Sequence, residues 1–354
     1  MRIKLAILEN DHEYLNRIVS AFNTKYSEKF EIYSFTDPNI AISTLSTSRI
    51  NVLIASDSFT VETDMIPKNC GFAYLVDSTD IDQINGQRAI CRYQKIDLIY
   101  KQILSVYSES AGNISNIKLG EEDTKILVFC SASGGTGTSS MAAASAIYFA
   151  NRNKKALYLN LEKLGSSDVF FSGEGRFNMS DIVFSLKSKK ANLQLKLESS
   201  VKQDESGVYF YSQSKHPLDM CELNGDEIVK LITQLELVGS YDYIIVDIDY
   251  TCDEDMIKVL NKAHRIIWTC DGMELSNHKI QRAYSALSVL EKIREVSLTS
   301  KLCIIYNKFS NKIGKKVGEV EIKCLGGAPR YEHATTAQIL EKLSQLDNVF
   351  SQII

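Results

Sequence analysis

The chain has 354 residues, 44% of them hydrophobic and 24% charged, with 40 Lys+Arg against 44 Asp+Glu and a formal net charge of −4. These values leave room for about two globular domains, and without a basic excess nothing advertises nucleic acid or anionic lipid as a partner. No run approaches the ~20 apolar residues of a membrane span, residues 1–8 are too short for a signal peptide, and eight scattered cysteines without a C-x-x-C pair read as free thiols in a reducing cytosol.

Residues 1–107 alternate short apolar runs with amphipathic stretches, in order 4–8, 14–22, 31–35, 52–55, 71–76 and 98–106. Alternating strands and helices predict a small α/β domain here. Residues 108–123 turn polar and end in Glu121, Glu122 and Asp123, which reads as an interdomain linker. Residues 124–354 resume the alternation, with strands expected at 126–130, 156–161, 208–211, 243–248, 265–270 and 302–306, and helices including 226–237 and 276–294. A twisted, mostly parallel sheet with helices on both faces follows for this second domain. Residues 187–206, Lys-rich and then polar, read as a surface excursion of no assignable role.

The first expected strand of the second domain runs into Gly134, Gly135 and Gly137, followed by a helix of small residues over 139–150. Glycines let successive N–H groups converge on an anion, and the helix adds its positive N-terminal end. The pattern is a phosphate-binding loop in outline, yet Thr138 stands where G-x-x-x-x-G-K-[ST] places lysine, while Ser139 keeps the Mg2+-binding hydroxyl. Downstream, Asp247 follows four apolar strand residues. That is the position of a Walker B aspartate holding Mg2+ through water; read alone, it also suits a turn or cap at any strand end.

The segment from Ser133 to Ser140 resembles the K-G-G-x-G-K-[ST]-[ST] loop of the MinD/ParA ATPases, and the likeness extends over residues 124–354. It implies ATP with Mg2+ as the cofactor, held by Gly134, Gly135, Thr136, Gly137, Thr138, Ser139 and Ser140, with Ser139 and Asp247 toward the metal. In that family a D-x-D pair ends the strand after the first helix; Asn160 and Glu162 occupy those places here. The resemblance therefore gives Glu162 and Asp247 the catalytic positions, Glu162 near the attacking water. It places Asn307 and Lys308 at the strand end that reads adenine, and Pro329 with Arg330 in the loop packing against the base. Read alone, Asn307 is a turn residue and Pro329 a loop proline. Dimerisation through the nucleotide domain is also implied.

The first domain resembles the receiver domain of response regulators, a flavodoxin-like fold. Glu9 and Asp11 stand for the acidic pair, Lys95 for the receiver lysine, and Ser56 falls where the phosphoacceptor aspartate belongs, with Asp57 one step late. This predicts a receiver fold without phosphotransfer; in an unrelated α/β domain Glu9 and Asp11 would simply cap a helix. A degenerate receiver ahead of a MinD-like domain is similar to the TadZ/CpaE proteins. That resemblance implies a cytoplasmic factor of Tad (Flp) type IV pilus secretion systems, recruited to the pole or the inner face of the membrane, whose partners are pilus machinery proteins or a polar landmark.

A lysine bonded to phosphate contributes about 1.5–3 kcal/mol, so its replacement by Thr138 should weaken nucleotide binding by roughly one to two orders of magnitude. Hydrolysis should suffer more, since a cation against the transferring phosphoryl group contributes about 10³–10⁵ in rate. In the family the first loop lysine crosses a dimer interface to the partner's ATP, and Ser133 at its position cannot. Lys163, Lys308 and Arg330 are the basic residues placed to substitute, although each reads singly as a surface charge. The apolar stripe over 338–354 includes one cation, Lys342, and so predicts core packing rather than a membrane-surface helix. Lys312, Lys315 and Lys316 form an isolated basic cluster that does not predict DNA binding.

Overall fold

The computed structural model describes residues 2–110, 124–188, 192–238 and 240–353. The chain divides into two compact units, Met1–Asn116 with Phe184–Ser200, and Ile117–Val183 with Val201–Ile354. From residue 111 onward the expected linker lies outside the described residues; Ser108 to Ser110 close a helix.

The first unit begins with β1 (Ile3–Leu8), α1 (His12–Lys25), β2 (Phe30–Phe35), α2 (Pro38–Thr47), β3 (Val52–Ser56) and β4 (Gly71–Val76). A hairpin of β5 (Gln83–Ile84) and β6 (Gln87–Cys91) follows, then α3 (Ile96–Ser110). The sheet order is β2-β1-β3-β4-β6-β5, parallel except for β5 against β6. β3 and β4 are buried along their whole length, as a parallel sheet covered on both faces requires. Asp11 caps α1 by accepting from Glu13 N and Tyr14 N at 2.9 and 3.1 Å, and Leu15, Ile18 and Phe22 form that helix's buried face. Asn85 and Gly86, both at positive φ (50° and 77°), turn the hairpin, as a tight two-residue connection demands.

The second stretch of chain supplies β7 (Lys125–Cys130), α4 (Thr138–Ala150), β8 (Ala156–Asn160), α5 (Ser167–Phe170), α6 (Met179–Lys187) and α7 (Leu193–Ser200). It continues through β9 (Lys202–Gln203), β10 (Tyr209–Phe210), α8 (Pro217–Cys221), α9 (Gly225–Val238), β11 (Tyr243–Asp247), α10 (Glu254–Lys262) and β12 (Arg265–Cys270). The last elements are α11 (Glu274–Arg294), β13 (Leu302–Phe309), β14 (Lys323–Pro329), α12 (Thr336–Leu343) and α13 (Asp347–Phe350).

Helix α7 falls in the surface excursion of the sequence, and it belongs to the first unit. Leu193 and Leu197 are buried there, Lys196 Nζ donates to Ser105 Oγ at 3.0 Å, and Glu198 accepts from Tyr100 OH at 2.7 Å and Lys29 Nζ at 2.8 Å. The first unit is thus completed by residues some 80 positions beyond the end of α3.

The second unit has the sheet order β14-β13-β12-β7-β11-β8-β10-β9, parallel except for β9. Ala142, Ala143, Ala144 and Ala146 are all fully buried on α4; their small side chains let the helix lie close on the central strands. The stripe at the chain end is split between α12, which opens on a Thr335/Gln338 capping box, and α13. Leu340, Leu343, Val349, Phe350 and Ile353 share a core with Leu127 and Phe149, so the stripe is packed as expected. No described helix is long and apolar enough to cross a membrane.

Candidate nucleotide site

Asp247 ends β11 with Phe129 of β7 as its neighbour on one side and Asn160 of β8 on the other. The glycine loop leaves β7 and Glu162 follows β8, so three adjacent strands deliver the expected residues to one carboxyl edge, where open α/β sheets bind ligands. A cavity of about 580 Å³ lies there, lined by Gly134, Gly135, Gly137, Thr138, Ser139, Ser140, Glu162, Asp247 and Lys308.

Local geometry explains the glycines. Gly135 and Gly137 sit at φ 75° and 81°, a left-handed region costly to other residues. At Gly137, which caps α4, a Cβ would also collide with Asn307 Nδ2. Ser131 holds the loop start, donating to Thr269 O at 2.7 Å and accepting from Ser133 N at 3.1 Å. Ser133 itself is buried, with its Oγ 3.2 Å from Ser276 Oγ.

Thr136 and Asn307 brace the loop from within. Both are buried, and Asn307 Nδ2 donates to Thr136 O at 2.9 Å. The asparagine assigned to adenine recognition thus spends an amide hydrogen on the loop backbone, leaving its carbonyl oxygen outside that bond. Lys308, at φ 56°, reaches Gly135 O with Nζ at 2.7 Å. Pro329 ends β14 and lines a different cavity of about 430 Å³ with Tyr306 and Phe309; Arg330 is exposed one residue beyond, and neither residue lines the loop cavity.

At the base of the cavity Ser139 Oγ donates to Glu162 Oε1 at 3.1 Å. Asn160 Nδ2 lies 2.8 Å from Glu162 Oε2 and 3.1 Å from both Asp247 Oδ2 and Tyr158 OH, and Tyr158 OH donates to Asp247 Oδ2 at 2.7 Å. Burial, then the neighbouring Glu162 charge, push Asp247 from 3.8 up to about 8, against hydrogen bonds from Tyr158 and Ser139. Burial and the Asp247 charge hold the Tyr158 hydroxyl well above 10. Two carboxylates and a hydroxyl form a hard-oxygen donor set that fits Mg2+, which commonly takes one or two carboxylates together with phosphate oxygens. The burial of Asp247 beside the Glu162 carboxylate marks a place where positive charge is wanted. Tyr158, Ser166 (Oγ donating to Glu162 Oε2 at 3.0 Å) and Tyr250 on the cavity wall were missed in the sequence; only Tyr158, two residues before Asn160, stood beside a recognised motif.

A second polar cluster lies in the first unit. Glu9 is fully buried and accepts from Arg92 Nη1 at 3.0 Å through Oε2, while its Oε1 accepts from Asn10 N and Asp11 N. Arg92 Nη2 lies 3.3 Å from both Ser56 Oγ and Asp57 Oδ1, and Nε lies 2.7 Å from Asp77 Oδ1. Asp11 is the cap of α1. Lys95 opens α3, where its carbonyl accepts from Leu98 N and Ile99 N. Arg92 is thus a cation that meets both Glu9 and Asp57.

Residues 1–108 match a family model described as TadZ-like, receiver domain. No curated protein sequence matches the chain significantly. Among solved structures, a ParA family ATPase from Chlorobium tepidum aligns with TM-score 0.51 and 18% identity, over 65% of this chain and 96% of that one. A MinD cell division protein from Aquifex aeolicus aligns at 0.46 and 14%, over 63% and 96%. A cobyrinic acid a,c-diamide synthase from Mycobacterium smegmatis, with bound ATP analogue and magnesium, aligns at 0.46 and 12%, over 63% and 94%. At 18% identity the likeness to the ParA family ATPase is one of fold.

Proposed function

We propose, for a chain that carries a TadZ-like receiver domain followed by a ParA/MinD-like fold, that it is an ATP-binding assembly and localisation factor of a Tad (Flp) type IV pilus secretion system. In this reading it dimerises through the nucleotide domain and hydrolyses ATP slowly or not at all. The observation that carries it is the loop cavity with Ser139, Glu162 and Asp247 at its base and no lysine at 133 or 138.

The loop N–H groups and the N-terminus of α4 bind the phosphates. Ser139 and Asp247 would hold Mg2+, which when bound neutralises phosphate charge. Glu162, held by Ser139, Asn160 and Ser166, would orient water. Asn160 brings a neutral amide where a second carboxylate would repel Asp247 and Glu162. Neither Ser133, turned to Ser276, nor Thr138 brings a cation to a transferring phosphoryl group, and this limits turnover.

Lys308 favours a second reading, an active MinD-like ATPase using a substitute cation, because its Nζ already sits on the loop. Identifying the nucleotide retained by purified protein, with its mass in solution and a single-turnover assay, separates the readings. ATP in a dimer with little phosphate release is expected. Ordinary ATPase rates abolished by Ser139→Ala would replace the first reading with the second, and absence of nucleotide binding would leave a scaffold.

A further inference from the structure

The net charge of −4 conceals an uneven distribution: residues 274–319 carry nine lysines and arginines against four glutamates. Two neighbouring parts of the second unit hold most of this charge, helix α11 and the loop of residues 310–322 between β13 and β14. Along α11, Leu275, Arg282, Val289 and Ile293 follow one another at intervals of seven, seven and four residues, which places them on one stripe of the helix. All four are exposed, the three aliphatic side chains at 66%, 56% and 64%. Ile280, Ala283 and Leu287 form the buried side of the same helix.

The loop is built onto that helix. Asn277 Nδ2 donates to Lys315 O at 2.9 Å and Gln281 Nε2 to Gly318 O at 3.0 Å. From the loop itself, Lys315 N donates to Gly272 O at 2.9 Å and Val317 N to Tyr306 OH at 2.6 Å. Its backbone is thereby fixed while Lys312, Ile313, Lys315 and Lys316 stand exposed, Ile313 at 64%. Arg294 is paired with Glu254, and Glu291 turns inward to accept from Leu298 N at 2.7 Å. Among the described residues no carboxylate pairs with Arg282, Lys292, Lys312, Lys315 or Lys316.

Exposed cations alone are a solvated face, and a single exposed aliphatic residue needs no explanation. Aliphatic side chains set among uncompensated cations are a different surface. A phosphodiester backbone would use the cations and leave the aliphatic groups idle. An anionic bilayer uses both, since lysines and arginines meet the headgroups while aliphatic side chains enter the acyl boundary. The apolar stripe at the chain end is packed into the core and forms no part of this face.

We propose that the outer face of α11 and the β13–β14 loop form a docking surface for an anionic lipid bilayer. Arg282, Lys292, Lys312, Lys315 and Lys316 meet the headgroups, and Leu275, Val289, Ile293 and Ile313 enter the interface. Ser139, Glu162 and Asp247 take no part, so this surface does not depend on the nucleotide reading.

Co-sedimentation of the full chain with vesicles tests it, using phosphatidylcholine alone and phosphatidylcholine mixed with phosphatidylglycerol. Binding is expected with the anionic mixture only, and it should weaken as salt rises. Lys312→Ser with Lys315→Ser and Lys316→Ser should lower vesicle affinity roughly a hundredfold, and Val289→Ser with Ile293→Ser should lower it at every salt concentration. Lys68→Ser with Lys230→Ser, which removes exposed charge elsewhere, should change it little. All of these side chains are exposed, so the melting midpoint of each variant should stay near that of the parent chain. Absence of binding to anionic vesicles, undiminished binding by the triple lysine variant, or binding to duplex DNA without binding to vesicles overturns the proposal.

Discussion

Tyr158 donates its hydroxyl to Asp247 Oδ2 at 2.7 Å, and both side chains are shut off from water. A carboxylate so placed keeps its proton to about pH 8, whereas in the unfolded chain it ionises near 3.8. The folded state therefore binds more protons across that interval, and the stabilisation present below the unfolded value is lost as pH rises toward the folded one. Protein free of Mg2+ and nucleotide should show a melting midpoint with a falling contribution between about pH 4 and 8. Asp247→Asn should flatten that slope, seen by scanning the two proteins side by side across pH.

Asn160→Asp would return a carboxylate to a place within 3.1 Å of Asp247 and Glu162 contacts. Loss of the bridging amide should cost about 1–3 kcal/mol in metal-free protein, with Mg2+ recovering much of it. Urea titrations with and without Mg2+ check this; equal stability in both buffers counts against a cation site here.

Lys308→Ala removes the cation on Gly135 O. If that charge supports bound phosphate, ATP affinity should fall about tenfold, while Lys163→Ala should change it little. Trp268, the sole tryptophan, is buried with its ring 5.4 Å from that of Tyr250 on the cavity wall, so its fluorescence offers the readout.

Thr138→Lys restores the missing loop lysine in a side chain lining the cavity. Affinity for ATP should rise by roughly one to two orders of magnitude, measured by calorimetry. Turnover should stay well below that of a loop with both lysines, because Ser133 still faces Ser276.

Gly137→Ala forces a Cβ against Asn307 Nδ2 at φ 81°. Left-handed strain alone costs about 1–2 kcal/mol, and the displaced Asn307 releases Thr136 O. Weaker ATP binding and a lowered melting midpoint should appear together, whereas Gly134→Ala, where a Cβ meets nothing within 4 Å, should be mild.

Periodicity made the strands and the loop legible because buried parallel strands are near-continuous apolar runs, and Gly135 and Gly137 mark backbone turns by their identity. Asp247 and Glu162 could be placed because each closes or follows such a run. The β5–β6 hairpin shows in the sequence only through its Asn85-Gly86 turn signal, because its strands, of 2 and 5 residues, are too short to show a period. Arg92 has no signature of its own, and Tyr158 has only its place two residues before Asn160. Their partners lie 83 and 89 residues away in the chain, and only the strand order brings them together. Asn307 is legible by its place at a strand end, but its bond to Thr136 depends on how the loop is stacked.

Helix α7 carries a consequence for synthesis. Tyr100 and Ser105 leave the ribosome long before Glu198 and Lys196, their hydrogen-bond partners. At about 5–20 residues per second, the gap amounts to several seconds of translation. The N-terminal unit is thus made first and finished late, with one side of α3 waiting for a helix that is encoded within the other half.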